Sequence, residues 1–388
     1  MDHQQRIKRL RRRMDSSGLD GLVYGIGANF TYFTGITPHW DRSGKAQAEG
    51  FGISAHNEPT RPACLFAMRV DREPIIIGNP YLLTQGEEPP FECEFTSGVA
   101  EVKDALESYF QGVRRFGTGH RASVYIRELL GDAFGDGVYT NAEELGQFMR
   151  LIKDADEVRR LTDLAGITDA AMEKVVQKIR PGVSQLELQE EIRSVGLKMG
   201  VDGTSFPPTA GFVNPKYSNE IEPFNYPKDE GLIEGTSIAF DFGYLRDGYC
   251  SDFGRSFYKG NAPEDYSGAY LALQAAQCQL IESIEPGQTR ICDIFGIIEA
   301  ALDERGYGDR IRARLSDGLV GHQIGIDLHE PPWINPSCDI ALQPGMVMCV
   351  EPKVWLPGEY YYRVEDMILI TEDGATSLTK FDRNLFEL

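Results

Sequence analysis

The sequence predicts two domains, an N-terminal α/β domain followed by an α+β domain built on an antiparallel sheet. Three observations predict this. The chain has 388 residues, more than a single hydrophobic core usually organises. Up to about residue 152, short apolar runs alternate with helical stretches, the pattern of α/β structure. Beyond Ser205 the character changes to apolar segments joined by Gly and Pro turns, the pattern of antiparallel hairpins. The boundary is therefore placed so that residues 1–152 form the first domain and 153–388 the second.

Residues 4–18 set Ile7, Leu10 and Met14 at helical spacing, with Gly18 as the stop and the basic residues between them as a solvated face. The apolar runs at 22–24, 64–68, 74–77 and 124–126 read as short strands, and 97–110 as a helix. Gly25 and Gly27 do not make a nucleotide loop, because no third glycine follows at the required place. From 143 to 165 the pattern is that of long charged amphipathic helices. Pro181, Gly182 and Ser184 then end one helix and open another that runs to about Gly200. Segments 236–257, 345–355 and 362–371 read as hairpin strands.

The 39 Lys and Arg against 59 Asp and Glu give a net charge of −20, which argues against nucleic acid and anionic membranes as partners. No apolar run approaches the ~18 residues of a membrane helix. The basic start has no apolar stretch behind it, so no secretory signal and a cytoplasmic location are expected. Seven scattered cysteines without a C-x-x-C pair are expected as free thiols, neither a disulfide frame nor a zinc cluster.

The chemistry concentrates in the second domain. Asp247-Gly248 is a hairpin turn signal inside FDFGYLRDGYCSDFGRSF. With those two residues as the loop, paired positions sum to 495, so Asp252 faces Gly243 and Asp241 lies two residues along on the same face. Two carboxylates that close repel unless a cation lies between them; the alternative is a pair of solvated strand residues. Further along, GHQIG carries His322, and His329-Glu330-Pro331-Pro332 follows seven residues later. Glu351 ends one apolar strand and Glu365 begins another. Acids are costly inside such strands as unpaired ions. Four of them beside a histidine pair share an explanation if Asp241, Asp252, Glu351, Glu365 and His322 hold two divalent ions. Oxygen-rich ligation with one imidazole suits Mn²⁺, Co²⁺, Fe²⁺ or Zn²⁺ better than a thiolate-selective site.

These motifs resemble those of the pita-bread metallohydrolases, the creatinase, aminopeptidase P, prolidase and methionine aminopeptidase family. The opening RIKRLRRRMDSSGLDGLVYGIGANFTYFTGI is similar to the N-terminal domain of prolidases and aminopeptidases P, and LIKDADEVRRLTDLAGITDAA to their linker helix. GYCSDFGRSF, GHQIGIDLHEPP, LQPGMVMCVEP and RVEDMILITEDG follow the catalytic domain's motifs in order. The resemblance implies an α+β pita-bread catalytic domain preceded by a smaller creatinase-like α/β domain. It implies Asp241, Asp252, His322, Glu351 and Glu365 as the metal ligands, with Asp252 and Glu365 bridging two ions, Mn²⁺, Co²⁺ or Zn²⁺. It also implies hydrolysis of an Xaa-Pro bond by a metal-bridging hydroxide. Glu351 would then shuttle the proton and His329 stabilise the oxyanion, while Arg363 orients the acids; His329 has the alternative of a hydrogen-bonded core histidine. Asp366 either orients the acids too or is solvated. Creatinase lacks this ligand set and methionine aminopeptidase normally lacks the N-terminal domain, which leaves the proline-directed branch.

The chain departs from the family pattern at several places. Phe224 and Gly318 stand where substrate-holding histidines are usual, Gln323 replaces a glycine, Trp355 a tyrosine, and Gly254 a threonine that supports the bridging aspartate. Substrate contacts are expected instead from Trp355 and, across a homodimer, from His39 or Arg42 in the loop 39–42, for which a solvated loop is the alternative. A small peptide is the expected substrate. The reading is an Xaa-Pro dipeptidase, with aminopeptidase P as the alternative. A non-peptidase hydrolase or lyase acting on a small C–N substrate is a second class, and an inactive binding protein a third.

Overall fold

The computed structural model describes residues 2–37, 64–78, 90–96, 98–119, 124–135, 137–219, 221 and 224–388. They fall into two compact units, Met1–Arg150 and Leu151–Leu388.

The first unit is built on a six-stranded mixed sheet. Its order is Glu92–Phe95, Ile75–Gly78, Cys64–Arg69, Gly21–Gly25, Arg115–Thr118 and Val138–Asn141. Helix Val99–Tyr109 and helix Val124–Phe134 cover one face through Leu106, Phe110, Leu129 and Leu130 against Val23, Leu65 and Phe116. The run at 124–126, expected as a strand, instead begins a helix. Ile126, Leu129 and Leu130 recur at helical spacing on one buried face, and a three-residue apolar run alone does not reveal that period. The expected helix at the start is His3–Ser16, with Gly18 in the left-handed region. Its basic face is not uniformly solvated: Arg6 is buried, stacked 3.8 Å over the Tyr32 ring and donating to the Tyr32 carbonyl. An arginine stem packs like a hydrophobe when its fork finds acceptors.

The second unit opens with two helices whose starts the sequence encodes. Asp154 with Glu157 and Ser184 with Glu187 form capping boxes at Ala155–Val176 and Gln185–Lys198. These helices cover a four-stranded sheet of order Phe386–Glu387, Phe253–Lys259, Thr236–Phe242 and Thr209–Val213. A second layer sets helices Glu264–Ser283 and Asp293–Asp303, unanticipated from the sequence, on a five-stranded sheet. That sheet runs Glu330–Ile334, Gly321–Gln323, Val347–Val350, Asp366–Ile370 and Ala375–Ser377.

Helices thus back each sheet, and the two sheets meet where Gly254 bridges Glu365. Arg255 ties this junction. Its guanidinium donates to the carbonyls of Gly254 and Glu365 and pairs with Asp366 at 2.7 Å, all of it buried. Removing one partner of a buried, hydrogen-bonded ion pair typically costs about 3–5 kcal/mol. Arg255→Met is therefore expected to lower folding stability by about that amount, read as a depressed denaturation midpoint with an unchanged far-ultraviolet spectrum at low temperature.

Candidate metal centre

Three chain segments bring the site together. The first is the hairpin at Asp247-Gly248. Both residues have positive φ, 51° and 77°, as a tight two-residue turn requires. The observed partners are Arg246 with Tyr249, Phe242 with Phe253 and Asp241 with Gly254, each pair summing to 495 as the turn predicts. Asp241 and Asp252 therefore point the same way from neighbouring strands.

The second segment is Gly321–Gln323, which sets His322 opposite Cys349 in an antiparallel ladder. His322 Nδ1 donates to the Gln323 carbonyl at 3.0 Å, which leaves Nε2 as a bare acceptor facing the carboxylates. It stands 3.3 Å from Asp252 Oδ2 and makes no hydrogen bond. Burial pulls the His322 pKa down and favours the neutral ring.

The third segment is the sequence from Val347 to Ile370, which supplies Glu351, Arg363 and Glu365. Asp252, His322, Cys349 and Glu365 each offer a donor atom within 4.8 Å of the others, and all four residues are buried. Asp241 and Glu351 lie beside this group. The Arg363 guanidinium pairs with Asp241, lies 3.2 Å from Glu365 and 3.8 Å from Glu351, and Lys353 pairs with Glu351.

Electrostatics divides the acids. Burial, then repulsion from Asp241 and Glu351, pushes Asp252 well above the usual carboxylate range; burial, then Asp252, does the same to Glu365. Burial would also raise Glu351, but the Lys353 and Arg363 cations outweigh it and hold that carboxyl at about 2. Four carboxylates against two protein cations leave a negative excess at the buried end. Two acceptors there, His322 Nε2 and Glu365 Oε1, have no hydrogen-bond partner, and neither does the Arg363 Nε donor beside them. A donor set of one imidazole and several carboxylates, whose crowding is relieved only by protons or a cation, is chemically suited to a divalent cation.

His329 is exposed at the rim, its ring edge-on to His322 at 4.4 Å and tilted against Trp333 at 5.5 Å. Desolvation against these rings, then repulsion from His322, lowers it to about 4, so it is neutral at physiological pH. It is not a hydrogen-bonded core histidine. Its neighbour Glu330 turns away from the acids to a buried pair with Lys153 at 3.4 Å. Asp366 also lies outside the cluster. Burial would raise it, but Arg255 and Arg383 hold it well below the usual range, so it is neither solvated nor in contact with the metal candidates.

The departures have structural consequences. A Cβ on Gly254 would lie 2.3 Å from Arg363 Cδ and 2.9 Å from Glu365 Oε2, so a threonine there and Arg363 in its present place exclude each other. Gly318 has φ +70° and a Cβ would meet Pro336 at 2.6 Å, which bars a histidine. Phe224 instead packs edge-on to Tyr361 at 4.8 Å. Trp355 lies opposite Tyr361 across the two-stranded ladder, partly buried against it. Trp333 borders a cleft of about 440 Å³ with Asp317, Leu319, Asn335, Pro336 and Ser337. His39 and Arg42 lie outside the described residues.

Three residues here went unrecognised in the sequence: Lys353, Cys349 and Trp333. Cys349, Glu351 and Lys353 are spaced by two, the spacing that puts strand residues on one face, and that signal was available. The Cys349 thiol lies buried beside these donors, a neighbour the sequence reading did not name.

Comparison with known proteins follows the same lines. A family model described as metallopeptidase family M24 matches residues 159–372, and one described as the creatinase/prolidase N-terminal domain matches residues 6–158. YkvY of Bacillus subtilis (strain 168), named provisionally as a dipeptidase, is 34% identical over 267 residues, 69% of this chain and 70% of its own. YqhT of the same organism, named as an uncharacterised peptidase, is 25% identical over 99% of this chain and 100% of its own. The solved Xaa-Pro dipeptidase from Bacillus anthracis superposes with a TM-score of 0.82 at 24% identity, covering 100% of both chains. The X-Pro aminopeptidase from Thermotoga maritima MSB8 gives 0.76 at 21% identity, covering 96% of this chain and 98% of its own. With a buried carboxylate and histidine cluster in the matched region and a pita-bread catalytic unit behind a creatinase-like one, this chain belongs to metallopeptidase family M24.

Proposed function

We propose that the chain hydrolyses Xaa-Pro peptide bonds, in dipeptides in preference to longer peptides, using two divalent ions, Mn²⁺, Co²⁺ or Zn²⁺. Asp241, Asp252, His322, Glu351 and Glu365 hold them, in a catalytic domain of residues 153–388 that works in a cytoplasmic homodimer. The observation that carries this reading is the buried group of Asp252, His322 and Glu365, with two orphaned acceptors, flanked by Asp241 and Glu351. The dipeptidase from Bacillus anthracis and the aminopeptidase from Thermotoga maritima, alike in fold, support the substrate class.

The ions supply, when bound, an activated water and a polarised carbonyl. The chain's own groups do the rest. Glu351, held ionised at neutral pH, accepts a proton from the attacking water and delivers it to the leaving nitrogen. His329, neutral and at the rim, donates a hydrogen bond to the oxyanion that develops on the scissile carbonyl. Arg363 keeps Asp241 and Glu365 from turning away.

One observation favours a second reading. At the two places where proline-directed relatives carry substrate-holding histidines, this chain has an aromatic packed on Tyr361 and a glycine that no larger residue can replace. A non-peptidase hydrolase or lyase of a small C–N substrate would need neither histidine.

A panel of Gly-Pro, Ala-Pro and longer Xaa-Pro peptides, assayed after loading with each metal in turn, separates these readings. Hydrolysis of dipeptides above longer peptides is the expected result, and metal-loaded protein inert on all of them supports the second reading. Glu351→Gln is expected to lower kcat by about 10²- to 10⁴-fold and His329→Ala by about 10²- to 10³-fold. Arg42→Ala is expected to raise KM in a dimer; unchanged kinetics removes that loop from the substrate site.

Stability should follow the same charges. The raised pKa values of Asp252 and Glu365 mean that their contribution is fully present below the unfolded values, near 4, and is lost as the pH rises through the folded ones. Metal-free protein is therefore expected to lose stability from mildly acid to neutral pH. Glu365→Gln should flatten that loss and raise the neutral-pH melting temperature of the metal-free chain, while shrinking the further rise that added metal gives the wild type. A melting temperature for metal-free Glu365→Gln below that of wild type at pH 7 would contradict the charge imbalance.

A further inference from the structure

Glu330 directly follows His329 and carries a buried charge that the metal centre does not use. Its carboxylate pairs with Lys153 at 3.4 Å, the two side chains being 3% and 1% exposed. The other carboxylate oxygen accepts from the Asp327 amide at 3.3 Å, and a Cβ on Gly325 would lie 3.0 Å from the group. The loop between the two histidines is thus folded round this one carboxylate. Lys153 is itself fixed: its amide donates to the Gly345 carbonyl at 2.8 Å, and the next residue, Asp154, caps the helix Ala155–Val176.

The backbone beside His329 is weakly tied. Gly321 pairs with Ile334 and Gln323 with Glu330, so Pro331, Pro332 and Trp333 together face the single residue His322 in a bulge. Neither proline has an N–H to give to the ladder. The His329 ring itself lies at the exposed rim, in contact with the rings of His322 and Trp333. The adjoining residue is the one whose side chain is anchored in the interior.

Resting on the oxyanion role given to His329 above, we infer that the buried Lys153–Glu330 pair sets where the His329 ring stands. Lys153 acts through Glu330, whose backbone continues from His329, and is a positioning residue. The pair holds the loop from inside and keeps the ring at its end edge-on to His322. A buried ion pair often adds little net stability over neutral residues of similar volume, so the use of this one is placement. Shifting a reacting group by about 1 Å can cost ~10²-fold in rate. Loss of the pair therefore falls on kcat.

The test compares the full-length wild type with Lys153→Met and with the double variant Lys153→Met/Glu330→Gln. Lys153→Met leaves a buried carboxylate unpaired and is expected to lower the melting temperature; the double variant removes both charges and is expected to recover it. In that double variant kcat is expected to stay about 10- to 100-fold below the wild type, with KM unchanged. A second readout needs neither metal nor substrate. The chain has six histidines, and the ring-proton resonance of His329 in the metal-free protein is assigned by its absence from His329→Ala. Ring currents from His322 and Trp333 displace that resonance, and it is expected to move in the double variant. Glu330→Gln, which keeps the side-chain shape, is measured alongside and is expected to show the same fall in kcat and the same movement. Recovery of kcat together with the melting temperature, or a His329 resonance unmoved in the folded double variant, overturns the inference. A wild type inert on every peptide overturns the oxyanion role, and the resonance then decides the positioning by itself.

Discussion

Four carboxylates gathered in the interior of one domain set the terms for everything around them. Like charges that close can stay ionised only if cations share the space. The chain answers part of the demand itself. Arg363 reaches Asp241, Glu351 and Glu365, and Lys353 takes Glu351. What remains is an excess of negative charge at Asp252 and Glu365, next to an imidazole nitrogen with nothing to accept from. The affinity for divalent cations is this leftover imbalance, expressed at a place where oxygen and nitrogen donors already converge.

The architecture exists to hold that imbalance in place. One sheet contributes Asp241 and the neighbouring Asp252 through a tight hairpin; the other contributes His322, Glu351 and Glu365 through three adjacent strands and their ends. The sheets touch at Gly254 and Glu365, where the absence of a side chain on Gly254 leaves room for the Arg363 stem. Arg255, one residue on, points into the core and is satisfied by Asp366 and nearby carbonyls. Adjacent arginine-bearing strands thus divide the work: one cation stabilises the junction, the other tempers the acids.

The rim is where this chain differs from the pattern its motifs resemble. Aromatic surface dominates it. Trp333 leans on His329, Phe224 packs on Tyr361, and Trp355 pairs with Tyr361 across its two-stranded ladder. Such walls discriminate by shape and desolvation more than by hydrogen bonding, and a pocket of that kind separates substrates differing by a methylene only modestly.

Much of this was legible in the chain itself, and the reason is locality. An Asp-Gly turn fixes which residues oppose each other, so the facing of Asp241 and Asp252 follows from a few positions of sequence. Capping boxes mark helix starts for the same reason. Acids embedded in apolar strands beside a histidine announce a cation because their burial is otherwise too costly. Tertiary structure alone decided which acids the protein's own cations would occupy, that Gly254 must be small for Arg363 to fit, and that Gly318 leaves no room for a histidine. Each of these depends on atoms brought together from strands far apart in sequence, and no short-range period or turn preference carries that information.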